Sequence, residues 1–181
     1  MKKTPETYNL NIFRCKLCSE VILAEHKSST CPFCGAHDDY MVRAQDWKDE
    51  NYIKNLSLIS KKNLEKALKL ELENAKFYKC AMSHTQNAKL KSIFQSLAKT
   101  EMEHVFLISK ILKRPKSDTN IQDICFRLDD ENVKNSLELE KIAKKNFIKV
   151  YNQATEPRIK EIFFGLLEVK GDHIELLKER L

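Results

Sequence analysis

Side chains of the metal-ligand type recur at a fixed spacing in the second half of the chain. A shift of 69 positions without a gap superposes two stretches of sequence. The polar pairs related by this shift are Glu71 and Glu140, Glu101 and Lys170, and His104 and His173. Carboxylate and imidazole groups bind iron and similar transition metals. The repeat therefore predicts a two-sided metal site whose symmetry is broken at Lys170.

The glutamates of this repeat lie within apolar periodic segments. Glu101 and His104 are three residues apart, so they share one face of a helix. The apolar residues of that face are Phe94, Leu97, Ala98, Leu107, Ile108 and Ile111. A buried carboxylate costs several kcal/mol unless it is paired or metal-bound. Three inward glutamates, including Glu71 and Glu140, therefore predict a shared cation.

Lys170 changes the charge of this predicted site. Three glutamates carry a formal charge of −3, and the Lys170 ammonium reduces it to −2. That charge balances one divalent ion. We therefore expect a one-metal or weakly two-metal site, with the ammonium in place of a cation. In the alternative, the long lysine side chain extends out of the core to solvent.

Four cysteines in the N-terminal part form two C-x-x-C pairs, Cys15 with Cys18 and Cys31 with Cys34. Two such turns direct four thiolates at one centre and predict a tetrahedral metal site. Sulfur ligation suits zinc as well as iron, so the metal stays open between a structural zinc ribbon and a redox iron centre. A left-handed turn residue is expected at Gly35.

The remaining candidate ligands receive no metal role. Cys80 and Cys125 are interpreted as buried or free thiols, and His84 as a residue at a helix end. His26 and His37 lie near the cysteine pairs, but four thiolates already complete a tetrahedron. We therefore expect both histidines at the surface.

Four helices must position these residues. Helical periodicity predicts them over about 60–84, 87–112, 129–153 and 157 to the C-terminus. Short connections make each consecutive pair an antiparallel hairpin, and the linker 116–128 is long enough to run the length of a bundle. The fold prediction is mainly α: a four-helix bundle with one long crossover (47–181), preceded by a small cysteine module (1–46). Asp129 and Asp130 are predicted to cap the third helix.

Composition limits the function classes. The chain has 181 residues and a net charge of +6, with lysine and glutamate interleaved rather than segregated. Interleaving is typical of solvated helix faces, so no nucleic-acid partner is expected. No apolar run is long enough to span a bilayer. Together with the C-x-x-C pairs, this predicts a cytoplasmic protein that keeps its thiols reduced.

The pattern resembles that of the rubrerythrins. The ligand-bearing half-repeat is similar to that of ferritin-like di-iron proteins, and the cysteine module, above all the segment 31–36, is similar to rubredoxin. The resemblance implies that Glu71 and Glu140 are terminal metal ligands, that Glu101 bridges two irons, and that His104 and His173 bind one iron each. The second bridging carboxylate belongs at Lys170 and is missing here. Glu168 or Asp172 could replace it only through a register slip.

The resemblance also implies an activity. Rubrerythrins reduce hydrogen peroxide at a di-iron site, with electrons passed through the rubredoxin-like iron by a donor such as an NAD(P)H-dependent rubredoxin reductase. Family members act against oxidative stress and form dimers in which neighbouring chains bring the two sites together. Tyr78 could hydrogen-bond an oxygen ligand or be an ordinary core aromatic.

Two alternatives remain. In the first, the bundle site is incomplete because of Lys170, and the protein only binds iron or transfers electrons. In the second, the cysteine module is a zinc ribbon that mediates interactions on a helical scaffold.

Overall fold

The computed structural model describes residues 9–115 and 124–181. Three short strands precede four long helices. The strands are β1 (Asn11–Cys15), β2 (Val21–Ala24) and β3 (Met41–Arg43), and the helices are α1 (Leu58–His84), α2 (Ala88–Ile111), α3 (Asp129–Gln153) and α4 (Pro157–Lys178). The predicted mainly α architecture with four helices is confirmed. Residues 1–8 of the predicted cysteine module and 116–123 of the predicted crossover lie outside the described ranges.

Local signals explain where the helices begin. The Ser57 hydroxyl caps α1 by accepting a bond from the Ser60 N–H, and the Asn87 side chain caps α2 in the same way. Pro157 opens α4, where its missing N–H costs nothing. The predicted cap of α3 is wrong. Leu128 occupies the N-cap position without a side-chain bond, and Asp129 and Asp130 lie in the first turn, where their charge suits the helix dipole.

The helices pack as two hairpins. Connections of three residues (85–87 and 154–156) join α1 to α2 and α3 to α4, while α2 and α3 are separated by residues 112–128. Their inward faces form two apolar clusters, with the ligand-type residues on the same faces. The second cluster contains Phe77, Tyr78, Ala81, Phe94, Leu97, Ala98, Val133, Leu137, Ile174 and Leu177.

The cysteine module is built on an antiparallel sheet of order β2-β1-β3. Each C-x-x-C pair closes a tight turn, in which the N–H of Ser19 bonds the Cys15 carbonyl and the N–H of Gly35 bonds the Cys31 carbonyl. Ser19 and Gly35 both have a left-handed backbone, with φ of 72° and 75°. The structure thus places Gly35 in the predicted left-handed conformation. In the other turn, Ser19 adopts the same conformation.

The module lies directly against its own bundle. A β-carbon at Gly165 of α4 would come within 2.6 Å of Leu17 and 2.8 Å of Tyr40, so a larger residue there would force these side chains to move. Arg158 of α4 donates to the carbonyl oxygen of Lys16 and to the side chain of Asn51. One apolar cluster is therefore continuous between module and bundle. The domain division at 46/47 stays a prediction.

No helix within the described residues is both long enough and apolar enough to cross a membrane.

Candidate metal centres

The four cysteines of the module converge on one point. The sulfur atoms of Cys15 and Cys34 are 3.7 Å apart, as are those of Cys18 and Cys31. A tetrahedron with metal–sulfur bonds of about 2.3 Å has edges of about 3.8 Å, so these spacings fit a four-thiolate metal site. Cys15, Cys31 and Cys34 are buried and Cys18 is partly exposed. Such a set suits iron and zinc equally.

The thiol groups of the four cysteines differ in pKa. Hydrogen bonds with the other three cysteines, Cys15 foremost, lower the pKa of Cys31, whereas those that Cys18 makes with its own three neighbours raise the pKa of Cys18. A bound metal would remove this competition by holding all four groups as thiolates.

The bundle brings the six residues of the sequence repeat into one buried cluster. Glu71 lies on α1, Glu101 and His104 on α2, Glu140 on α3, and Lys170 and His173 on α4. Five of them have no exposed surface, and His173 is 8% exposed. Two groups of three ligands share Glu101 and have the size of metal sites: Glu71, Glu101 and His104, and Glu101, Glu140 and His173. Their metal-binding role itself stays a prediction.

Lys170 occupies the centre of this cluster rather than extending to solvent. Its Nζ lies 2.5 Å from Glu101 Oε2, 3.1 Å from Glu71 Oε2 and 3.2 Å from Glu140 Oε2. Burial alone would lower the pKa of the lysine, but the three carboxylates outweigh it and raise the pKa above its usual value. The ammonium is therefore a fixed positive charge inside the bundle.

The carboxyl groups of Glu101 and Glu71, which both contact this ammonium, have pKa values shifted in opposite directions. Burial would raise the pKa of Glu101, yet Lys170 and the neighbouring hydrogen bonds hold it well below its usual range. Glu71 shows the opposite result: burial and the Glu101 charge raise its pKa to about 7. Glu71 Oε1 has no hydrogen-bond partner among the described residues. Such an unsatisfied buried oxygen is what a metal or a proton would satisfy.

The two histidines differ in how they are oriented. His104 Nε2 is 2.9 Å from the carbonyl oxygen of Cys34, which can only accept, so this nitrogen carries a proton. Its Nδ1 faces Glu71 Oε2 at 2.9 Å. In many metal-binding histidines, the ring nitrogen that does not bind the metal donates a hydrogen bond, which fixes the orientation of the ring. His173 Nδ1 lies 3.1 Å from Glu101 Oε1 and 3.3 Å from Glu140 Oε1.

The carboxylates keep both rings protonated in the metal-free protein. Burial lowers the pKa of His104, but bonds to Glu101 and Glu71 outweigh it and raise the pKa to about 10. For His173, burial is outweighed chiefly by the Glu140 charge, and the pKa rises to about 9. Three carboxylates then face three positive groups, so the metal-free cluster is neutral when all six are charged.

The donor set suits iron, but the charge and the lysine position fit one ion. One divalent ion that replaces the proton of one imidazole leaves the cluster with a charge of +1, whereas two ions that replace both protons leave a buried charge of +2. Lys170 contacts both Oε2 atoms that face His104, those of Glu71 and Glu101, and also Oε2 of Glu140. The Oε1 atoms of Glu101 and Glu140 face His173 Nδ1, at 3.1 Å and 3.3 Å. That a single metal binds at Glu101, Glu140 and His173 is therefore our prediction.

Tyr78 belongs to this half of the cluster. Its hydroxyl donates to Glu140 Oε1 at 2.7 Å, and the residue is fully buried. Burial, together with the Glu140 charge, raises its pKa well above the usual value. The hydroxyl is thus both satisfied, as in an ordinary core tyrosine, and adjacent to a candidate ligand.

The candidate substitutes for a bridging carboxylate point elsewhere. Asp172 pairs with His37 at 2.7 Å, and Glu168 lies 3.8 Å from the same ring. Asp172 is exposed and Glu168 is partly exposed, at the boundary between module and bundle. The register slip that would bring them inward is absent from α4.

The structure corrects the interpretation of two cysteines. Cys80 and Cys125 are bonded as a disulfide, not free. His84 lies next to them at the end of α1, with Nδ1 3.4 Å from the Cys125 sulfur. The i, i+4 spacing of Cys80 and His84 was a local signal, but nothing in the sequence indicated that residue 125 would meet them.

Comparison with known proteins supports the assignment of the bundle. The family description "Rubrerythrin" matches residues 62–181, which contain all four helices apart from the first turn of α1. The match does not extend to the cysteine module. No curated protein and no solved structure matches the chain. Family membership supports a protein of the di-iron type, and the cysteine and carboxylate–histidine groups support iron binding. Because the match covers most of the chain, the protein belongs to the rubrerythrin family.

Proposed function

We propose that the protein is a rubrerythrin-type oxidoreductase that reduces hydrogen peroxide to water, with electrons relayed through the cysteine centre to the bundle centre. The electron donor would be a protein such as an NAD(P)H-dependent rubredoxin reductase. Iron in the two centres would supply the one-electron steps of this reaction. The observation that carries the proposal is the hydrogen bond between His104 and Cys34.

This bond joins the two candidate centres within one chain. The Cys34 sulfur is one of the four thiolates, and its own carbonyl oxygen accepts from His104 Nε2 at 2.9 Å. The other ring nitrogen faces the carboxylates of Glu71 and Glu101. A path of one residue, one hydrogen bond and one imidazole therefore connects the centres. The proposed relay needs no neighbouring chain, although a homodimer remains part of the proposal by family resemblance.

The residues around the bundle centre also suit proton delivery. Reduction of one peroxide consumes two electrons and two protons and yields two waters. Tyr78 keeps its proton because its pKa is raised, and its hydroxyl already donates to Glu140. Lys170 holds a further set of N–H donors at the centre. We propose that Tyr78 hydrogen-bonds the oxygen substrate and that Lys170 sets the charge of the site.

Lys170 favours a second candidate function. A site that holds one iron has one fewer electron to deliver than a di-iron site, so peroxide turnover would be slower. The protein would then be an iron-binding or electron-transfer protein that keeps the family fold. The position of the ammonium against three carboxylates is the specific observation behind this candidate.

Metal analysis followed by rapid mixing separates these candidates. The anaerobically reduced protein is mixed with hydrogen peroxide, and the visible absorption of the four-thiolate ferric centre is followed. We expect oxidation to be at least tenfold faster in the wild type than in Glu140→Gln, which removes a candidate ligand. Glu138→Gln, an exposed change on the same helix, is the matched control.

The possible results distinguish peroxide reduction from electron transfer and from an interaction module. Equal rates in the wild type and Glu140→Gln would reject peroxide reduction at the bundle and leave the electron-transfer candidate. A colourless protein with zinc in the cysteine site would reject the relay itself and favour an interaction module.

A further inference from the structure

A second group of sulfur and imidazole ligands lies at the far end of α1. It consists of Cys80, Cys125 and His84. The two cysteines form a disulfide that links α1 to the segment just before α3. Neither candidate metal centre includes these residues.

The contrast with the four-cysteine site indicates a reversible bond. The sulfurs of Cys15, Cys18, Cys31 and Cys34 are free, and a metal site needs them reduced. An environment that preserves those four thiols reduces unprotected disulfides as well. Disulfides that form in reducing compartments are usually transient, and they are catalytic or redox-sensing.

Contacts other than the disulfide also hold the segment around Cys125 beside the end of α1. Their Cα atoms are 5.7 Å apart, within the usual range of about 4.4–6.8 Å for a bridge. The Thr85 hydroxyl donates to Asp129 at 2.9 Å. Asn132 exchanges two hydrogen bonds with the backbone of Phe126, next to Cys125. These contacts fix the segment beside the end of α1, so the reduced thiols remain in position to react again.

His84 supplies a donor to the sulfurs. Its Nδ1 lies 3.1 Å from the carbonyl oxygen of Cys80, which can only accept, so Nδ1 carries a proton. The same N–H group is 3.4 Å from the Cys125 sulfur and 3.7 Å from the Cys80 sulfur. A nearby N–H donor or imidazolium stabilises a thiolate, which is the reactive form of cysteine.

Exposure assigns different roles to the two sulfurs. Cys80 is fully buried, whereas Cys125 is partly exposed and His84 is exposed. A small oxidant therefore reaches Cys125 first.

We propose that Cys80 and Cys125 are a redox-active dithiol that reduces hydrogen peroxide without a metal. The Cys125 thiolate attacks one peroxide oxygen, the O–O bond breaks, and protonation of the leaving oxygen gives water and Cys125 sulfenic acid. The Cys80 thiol then displaces the sulfenic hydroxyl as a second water and forms the disulfide. In sum, two thiols lose two electrons and two protons to one peroxide. A dithiol reductant restores the pair.

The test uses full-length protein carrying one zinc per chain, because zinc protects the four-cysteine site and does not react with peroxide. After reduction and removal of the reductant, hydrogen peroxide is added, remaining thiols are alkylated, and the cross-links are mapped by peptide mass spectrometry. We expect one peroxide to be consumed per chain, with the Cys80–Cys125 link as product. In Cys80→Ala, a sulfenic-acid reagent should label Cys125, and in Cys125→Ala it should leave Cys80 unlabelled.

Substitution of His84 provides a second test. Because the His84 side chain is exposed, we expect its substitution to leave the fold intact. His84→Ala should slow disulfide formation about tenfold, the value of roughly one charge-assisted hydrogen bond. His84→Asn, whose side-chain amide can replace the Nδ1–H donor, should recover most of the rate. Circular dichroism of each variant checks that the helices are intact.

Three results would overturn the proposal. The first is a pair that stays reduced in excess peroxide. The second is labelling of Cys80 rather than Cys125. The third is uptake of a second zinc by the reduced wild type that Cys125→Ala loses, since the group would then be a metal site.

Discussion

In the hairpin α1–α2, the residue that faces the centre of the bundle is Glu101, while in α3–α4 the equivalent position holds Lys170. The apolar frames around the two positions match. The difference is one charge, and it decides what the cluster can bind. A carboxylate at both positions would bridge two cations, whereas a carboxylate and an ammonium bind each other. The protein thus keeps the scaffold of a symmetric site and fills part of it with its own cation.

The largest expected effect comes from making the two hairpins alike. Lys170→Glu should raise the bundle metal content from one to two irons per chain, because a fourth carboxylate replaces the internal cation. The metal-free variant should lose at least about 3 kcal/mol of stability, since the three glutamates lose their buried partner. Elemental analysis and denaturant unfolding measure these effects.

Lys170→Met is the matched control, because it removes the charge and adds no ligand. Its metal content should not reach two. Two bundle irons in the wild-type protein would refute the one-metal interpretation outright, and an unchanged count in Lys170→Glu would show that the missing carboxylate is not the defect.

A second test asks which half of the cluster holds the metal. Lys170 contacts the Oε2 atoms of Glu71 and Glu101 beside His104 and Oε2 of Glu140, whereas the Oε1 atoms of Glu101 and Glu140 face His173. Glu140→Gln should therefore reduce metal affinity by a factor of ten to a hundred, as expected for loss of a ligand or its close support. Glu71→Gln should change it much less. The reverse order, measured by competition with a chelator, would place the ion in the other hairpin.

Most of the fold was predictable from the sequence, because apolar periodicity and capping residues act locally. The family match also confirms the rubrerythrin prediction for the bundle. The inward direction of the glutamates and histidines followed from the repeat, since spacing fixes the helix face, while their role as metal ligands stays a prediction. The direction of Lys170 did not follow, because a lysine on that face can extend outward or inward. Only the three surrounding carboxylates, which come from three different helices, decide it.

Contacts between segments far apart in the chain could not be predicted from the sequence either. The bond between Cys34 and His104 depends on how the module packs on the bundle. The disulfide depends on where the crossover returns to α1. Neither Cys80 nor Cys125 carries a local signal for its partner.

A third, smaller effect tests why the module packs over α4. Gly165 has Ser96 as its repeat counterpart in α2, and Ser96 is exposed. Gly165→Ala should cost about 1–3 kcal/mol by overpacking against Leu17 and Tyr40, which outweighs the roughly 1 kcal/mol gained in helix propensity. Gly171→Ala is the control, because its new methyl group meets only the flexible Lys144 amine at 3.5 Å. Denaturant unfolding should show the first variant destabilised and the second slightly stabilised; equal stabilities would argue against tight packing at Gly165.

The smallest effect is a pH dependence that differs between the two hairpins. His104 and His173 have pKa values of about 10 and about 9 in the metal-free protein, above the usual value of about 6.5 in an unfolded chain. Groups whose pKa is raised by folding contribute stability that is complete below about pH 6.5 and is lost as the pH rises through the folded value. The metal-free protein should therefore become less stable between about pH 7 and pH 10.

Glu71, with a pKa raised to about 7, contributes its own loss earlier, between about pH 4.5 and 7. With iron bound at His173, the stability loss centred near pH 9 should disappear, because a metal-bound imidazole carries no ionisable proton on the ligating nitrogen, while the His104 component near pH 10 should remain. Without metal, His104→Gln should keep only the loss of stability near pH 9 that comes from His173. His173→Gln should keep only the loss near pH 10 that comes from His104. Melting curves across this range measure both. If the two variants lose stability at the same pH, the carboxylates hold the two rings equally, and the asymmetry introduced by Lys170 does not reach the histidines.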